Sequence, residues 1–333
     1  MLRLNKNIKI FFNYFLGPVL FVWLVFSIYQ QIKNQPDLDL SWAKITFALG
    51  GEQSWMFWVV LLLMAANWGL EARKWQVLLK PIEQISWFKA FKATVAGVAF
   101  AISTPNRIGE YGGRVLYLHE GNRLKAISFT IVGSFSQFLV TLIMGCGGLI
   151  FLINIPGSVP THITSGPYLI WIELILYVVS ITVVIGLIIY FRLPWLIKRI
   201  DKVPVFSRLI RYVSMLEQLS FAILLRVLSL SFFRYFVFAL QYVLMIKLMQ
   251  VSVTVWQAFW LISVMFLVLA VVPTIALAEI GIRGKVSVEL FGLFSGNTIG
   301  IITASFGIWL INLVVPSLLG SILIFRIKIF KNK

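Results

Sequence analysis

Two short stretches hold the residues best suited to chemistry. Glu110-Tyr111-Gly112-Gly113-Arg114 and Glu279-Ile280-Gly281-Ile282-Arg283 both read E-x-G-x-R, and each follows a small residue and an upstream proline, Pro105 or Pro273. A guanidinium is a planar fork of donors that matches a phosphate two bonds at a time. Arg107, Arg114 and Arg283 supply such forks, and Lys285 adds a further cation. Glu110 and Glu279 can accept the amine of a cationic group or exchange a proton. The plainer alternative is mutual neutralisation, because each glutamate lies four residues before its arginine, a spacing at which helical side chains meet.

The surroundings decide what these groups can meet. Of 333 residues, 60% are hydrophobic and 12% charged, against roughly 25% charged in a soluble domain. Such a chain cannot coat a core with polar surface, so its solvent is lipid. Lys+Arg number 29 and Asp+Glu 12. In a soluble protein that excess would point to nucleic acid; in a membrane it reports topology and anionic lipid, and no nucleic-acid partner is expected. Cys146 is alone and His119 and His162 are far apart, so neither a disulfide framework nor a metal or cofactor site is expected.

Scanning for apolar runs of about 20 residues gives six crossings, at 8–29, 55–75, 126–153, 168–191, 221–249 and 298–325. Two more apolar segments, 93–118 and 256–290, are interrupted by Pro, Gly and charge and read as re-entrant hairpins, since irregular backbone at membrane depth survives only beside protein or a wet cavity. Basic residues concentrate in 1–9, 71–92, 107–125, 192–211 and 326–333, whereas the opposite side receives only Lys33, Lys44 and Lys247. That bias puts both termini in the cytoplasm. Residues 1–153 and 154–333 then each read crossing, crossing, hairpin, crossing; three crossings per half is an odd number, so the second half is inverted. The expected fold class is an all-α polytopic membrane protein built as an inverted repeat, the plan by which transporters open a midplane site to either face.

Lesser features have structural readings. Gly292, Gly296 and Gly300 form a small-residue ladder suited to close helix packing. The basic, aromatic-interleaved stretch 192–211 reads as a surface helix. Arg226 and Arg234 are expected to snorkel from the fifth crossing, Glu173 is a minor candidate in the fourth, and helix N-termini in the hairpins are expected to offer N–H donors to a phosphate.

Arg73-Lys74-Trp75, then Thr104-Pro105-Asn106-Arg107-Ile108-Gly109-Glu110, then Pro273 with Glu279-Ile280-Gly281-Ile282-Arg283 resemble the flippase-like membrane family that includes the transmembrane region of lysylphosphatidylglycerol synthase. Many members carry glutamate directly after the G-x-R, where this chain has Gly284. The chain stops eight residues after its last expected crossing, so the resemblance implies lipid translocation without the soluble synthase domain. The leading expectation is a non-enzymatic carrier in a bacterial inner membrane that moves an anionic or aminoacylated phospholipid or another lipid-linked headgroup between leaflets. A headgroup-modifying membrane enzyme and an envelope scaffold are the alternatives, and a second copy or an envelope enzyme the protein partners left open.

Overall fold

A computed structural model describes residues 50–102, 104, 107–154, 167–200, 213–272 and 279–325, with isolated positions at 26, 39, 43, 46 and 47. Among the described residues there is helix and turn but no strand. The helices are α1 (Ser54–Leu79), α2 (Trp87–Ala101), α3 (Gly109–Val115), α4 (Arg123–Ile153), α5 (Pro167–Phe191), α6 (Leu193–Ile200), α7 (Phe221–Leu248), α8 (Val255–Val271), α9 (Glu279–Phe291), α10 (Thr298–Trp309) and α11 (Val315–Phe325). A π turn, Leu310–Val314, joins α10 to α11 without ending the helical path.

Five of these paths are long and apolar enough to cross a bilayer: Ser54–Leu79, Glu120–Ile153, Leu169–Phe191, Phe221–Leu248 and Thr298–Ile324. They coincide with five of the six expected crossings; the sixth, 8–29, lies outside the described residues except for Phe26. The protein is therefore a multi-pass, all-helical membrane protein. Where bounds differ, the difference matters. The crossing expected at 55–75 continues to Leu79, so Lys74, counted among the cytoplasmic bases of 71–92, lies inside the helix and is buried.

Both interrupted segments form helix pairs. In the first, α2 begins at Trp87, earlier than the expected 93, because Ser86 caps it by accepting from the Lys89 N–H at 3.2 Å. The second is α8 and α9, and α8 opens on a capping box in which Thr254 and Gln257 satisfy each other's backbone N–H. Pro105, Asn106, Pro273 and Thr274 lie outside the described residues.

Packing follows small residues. Gly97 of α2 faces Gly113 of α3 so closely that a Cβ on Gly113 would stand 2.7 Å from the Gly97 Cα. On α2's other side, a Cβ on Gly320 of α11 would meet the Val95 carbonyl oxygen at 2.2 Å. The expected 292–300 ladder is absent: Gly292 and Gly296 fall in the turn between α9 and α10, Gly292 is pressed against the Val288 carbonyl at the end of its own helix, and Gly300 against the Met249 carbonyl. A turn replaces the ladder because Asn297 caps α10 by accepting from the Gly300 N–H at 3.0 Å.

Outside the bundle, one carboxylate staples two loops. Glu83, after α1, accepts from Lys89 Nζ at 3.1 Å, Asn122 Nδ2 at 3.1 Å and the His119 N–H at 3.2 Å. Burial works against its charge, but the donors Asn122, Lys89 and His119 prevail and hold its pKa below the ordinary glutamate value. The staple fixes both ends of the α2–α3 hairpin on one side of the bundle.

Candidate functional site

The second half of α1 buries one face. Asn67, Glu71, Lys74 and Leu78 recur at intervals of four, three and four residues, beside Trp68, Ala72, Trp75 and Leu79. That is the spacing of one helical face, so a polar and an apolar stripe run side by side into the protein. Trp75 donates to Thr130 Oγ1 of α4 at 3.0 Å, and Gln241 of α7 donates to the Val60 carbonyl at 2.9 Å. These bonds fix the rotation of α1 between its neighbours.

Glu71 is the centre of what this face carries. Its carboxylate meets Lys74 Nζ at 2.7 Å, Arg114 Nη2 of α3 at 2.8 Å and Arg234 Nη1 of α7 at 3.1 Å. Arg114 also pairs with Glu110, one turn earlier on α3. Side-chain exposure is 6% for Glu71, 2% for Lys74, 4% for Arg114 and 18% for Arg234. By helix rise, Glu71 lies about 12 Å inside the end of α1. Among the described residues, three cations and two carboxylates from three elements thus meet inside an apolar bundle.

Arg234 does not snorkel as expected. Besides Glu71, it donates to Gln137 Oε1 of α4 at 3.3 Å and lies 5.5 Å from the Trp68 ring centre, because α7 turns this position toward α1 and α4. Arg226, two helical turns earlier, is exposed.

The turn between α2 and α3 supplies the other predicted basic group. Arg107 has φ 59°, a left-handed conformation that favours glycine and costs a non-glycine residue about 1 kcal/mol or more. Thr104 holds the turn: its hydroxyl accepts from the Gly109 N–H at 2.8 Å and its carbonyl from the Arg107 N–H at 3.2 Å. The next two N–H groups of α3 are also taken, Glu110 by the Arg107 carbonyl at 3.0 Å and Tyr111 by the Ile108 carbonyl at 3.1 Å. The expected phosphate donors at this helix start are therefore spent on the turn, and what the turn presents is the Arg107 side chain.

Two adjoining cavities meet here, of about 240 Å³ and about 260 Å³. Trp68, Arg107, Gln137, Thr141 and Arg234 line both. Glu71, Lys74, Glu110 and Arg114 line the first; Arg283 of α9, with Asn67 and Asn312, lines the second. Asn67 donates to Asn312 Oδ1 at 3.3 Å, and Asn312 lies in the π turn, a distortion that often marks functional positions.

Of the six residues singled out in sequence, Arg107, Glu110, Arg114 and Arg283 thus converge on one pair of cavities. Lys285 is exposed on α9 and lines neither, since two residues of helical advance carry it off the Arg283 face. Glu279 opens α9, and its side chain lies outside the described residues. Glu173 is exposed on α5. Missed were Glu71, Lys74, Arg234 and Gln137. Glu71 did carry a signal, being the sole acid of α1 and standing three residues before Lys74.

No curated protein matches the sequence. The family model described as the lysylphosphatidylglycerol synthase TM region matches residues 14–320, so nearly the whole chain, cavities and ion cluster included, belongs to the family of the lysylphosphatidylglycerol synthase transmembrane region.

Proposed function

We propose that the protein is a carrier, without catalytic chemistry of its own, that moves an anionic or aminoacylated phospholipid or another lipid-linked headgroup between the leaflets of a bacterial cell membrane. The observation that carries this reading is the ion cluster around Glu71 at the wall of a cavity inside the bundle. Charges at membrane depth are costly and face a partner or a polar cavity. Among the described residues the cluster holds three cations to two carboxylates, and Arg107 and Arg283 also line the cavities. A phosphate restores the balance, and guanidinium forks are its natural partner. Family membership supports a lipid-related role.

In the same reading, both termini are cytoplasmic and the halves form an inverted repeat. The order of elements supports it: long helix, hairpin, long helix occurs as α1, α2–α3, α4 and again as α7, α8–α9, α10–α11. Single cysteines at the exposed positions Lys92, Gly121 and Ser252, with Cys146 replaced by serine, are expected to react with an impermeant thiol reagent from the inside, inside and outside respectively. Reaction of 92 and 121 from opposite sides sinks the hairpin.

Transport is tested in vesicles holding the purified protein and a headgroup-labelled phosphatidylglycerol analogue, by quenching the outer leaflet and following the rest. The wild type is expected to exchange label, and Arg107→Gln with Arg234→Gln to slow exchange by more than about tenfold, since losing even one strong charge-assisted contact costs about that much. Equal rates for the two proteins overturn the reading.

A further inference from the structure

The last crossing consists of two segments with different partners. Its first segment, α10, is bound to the second half of the chain. Tyr242 of α7 donates to Ser305 Oγ at 2.6 Å, and Ser305 donates to Ser287 of α9 at 2.9 Å. All three hydroxyls are buried, so parting them leaves polar groups unpaired at a high cost. A Cβ on Gly307 would stand 2.4 Å from Met245 Cε of α7, which presses α10 on α7 over a further turn.

The second segment, α11, is bound to the first half. Gly320 is seated on the Val95 carbonyl of α2, and Leu313, Val314 and Ile324 share one buried cluster with Ala96, Ala99 and Ile102. In turn α2 carries α3 through the Gly97–Gly113 contact, and Glu83 ties Lys89 at the start of α2 to His119 and Asn122 after α3. Thus α11, α2 and α3 form one body. Its other contacts are mainly apolar: Trp68, Ile280, Phe306 and Trp309 join the same cluster from α1, α9 and α10, and α2 meets α1 around Trp75 and Ala93, with one bond from Trp87 to the Gly69 carbonyl at 3.3 Å. Packed apolar helices can slide past one another by small steps.

Between the two segments the helix is weakened. The Val315 N–H bonds the Leu310 carbonyl, five residues back, and the next residue is Pro316. Proline has no N–H, and in a regular helix its ring strikes the carbonyl four residues earlier, here that of Asn312. The widened turn relieves the clash and leaves fewer backbone bonds to resist bending. Asn67 holds Asn312 to α1, so the bend has a fixed pivot.

We propose that Leu310–Val314 is the hinge of the carrier proposed above: α11 tilts there and takes the α2–α3 hairpin with it, while α7, α9 and α10 stay in place. This rests on the carrier reading and adds the part that moves. The hairpin forms one wall of the first cavity through Arg107, Glu110, Tyr111 and Arg114. A tilt therefore opens that cavity and parts Arg114 from Glu71, whose other partners, Lys74 and Arg234, lie outside the moving body. The 11 residues of α11 span about 16 Å, so a tilt of about 20° carries the far end about 5 Å.

The test uses spin labels on cysteine pairs in the full-length protein in nanodiscs, with Cys146→Ser, read by double electron–electron resonance. The labelled positions are Lys92 of α2, Ile322 of α11 and Arg226 of α7, all exposed. Lys92–Arg226 and Ile322–Arg226 are each expected to show two distances about 4–5 Å apart, and Lys92–Ile322 a single one. Pro316→Ala restores the missing N–H. It is expected to leave one distance for every pair and to slow label exchange in vesicles about tenfold or more. A single wild-type distance for all three pairs, a Lys92–Ile322 distance that splits with the others, or two distances that persist in Pro316→Ala each overturn the hinge while leaving the carrier standing. Absence of label exchange by the wild type overturns the carrier reading itself, whatever the distances.

Discussion

Replacing Glu71 with alanine destabilises the protein by about 3–5 kcal/mol, the cost of leaving buried charge without its partner. Arg114 keeps Glu110, but Lys74 and Arg234 lose the carboxylate they share. The same geometry predicts an asymmetry. Lys74→Met removes one cation from a cluster that has three cations and two carboxylates, so it costs less than Glu71→Ala although Lys74 is the more deeply buried. Adding Arg234→Gln to Glu71→Ala recovers part of the loss, with a coupling of about 1 kcal/mol or more between groups in direct contact. Thermal unfolding of the purified variants in one detergent reads all three, and Glu71→Ala is expected to lower the melting temperature by on the order of 10 °C. A melting temperature for Glu71→Ala within error of the wild type would falsify the assignment of Glu71 as the hub.

The outline of the fold was legible because membrane helices advertise themselves by length and apolarity, and the bounds of α4, α5 and α7 lie within a few residues of their sequence readings. The interruptions at 104–110 and 273–284 were legible because proline, glycine and charge stand together there. The hub was not, although every member is visible in the sequence. Counting Lys74 as a loop base to settle orientation hid it, because the 71–92 basic interval overlaps the end of the 55–75 crossing and assigns the Glu71–Lys74 pair to the loop. Arg234 was misread for a related reason. Snorkelling is the default for an arginine inside a crossing, and only the rotation of α7 against α1, set by Gln241 and Val60, shows that this one points inward. Position along the chain was readable; rotation about a helix axis in a nearly uniform apolar sequence was not, since lipid-facing and core-facing residues are alike there.

Rotation and spacing also set the second large effect, expected from Gly97→Val. A Cβ at Gly97 would stand 2.8 Å from the Glu110 carbonyl oxygen and 2.9 Å from Arg114 Cγ. The first is backbone and cannot swing aside, so α2 and α3 must part. Nor can α2 retreat, because the Gly320 contact with Val95 clamps it against α11 on the other side. Overpacking of this kind costs about 1–3 kcal/mol, and the strain falls on α3, whose Glu110 and Arg114 belong to the ion cluster. Gly97→Val is therefore expected to lower the melting temperature and to slow label exchange in vesicles together. Gly112→Ala, three residues from Arg107's turn but with open space where its Cβ would go, is expected to do neither and to gain up to about 1 kcal/mol of helix propensity. Both measurements use the vesicle exchange and melting assays already described. Wild-type behaviour of Gly97→Val would show that the glycine contact between the hairpin arms does not hold Arg114 against Glu71.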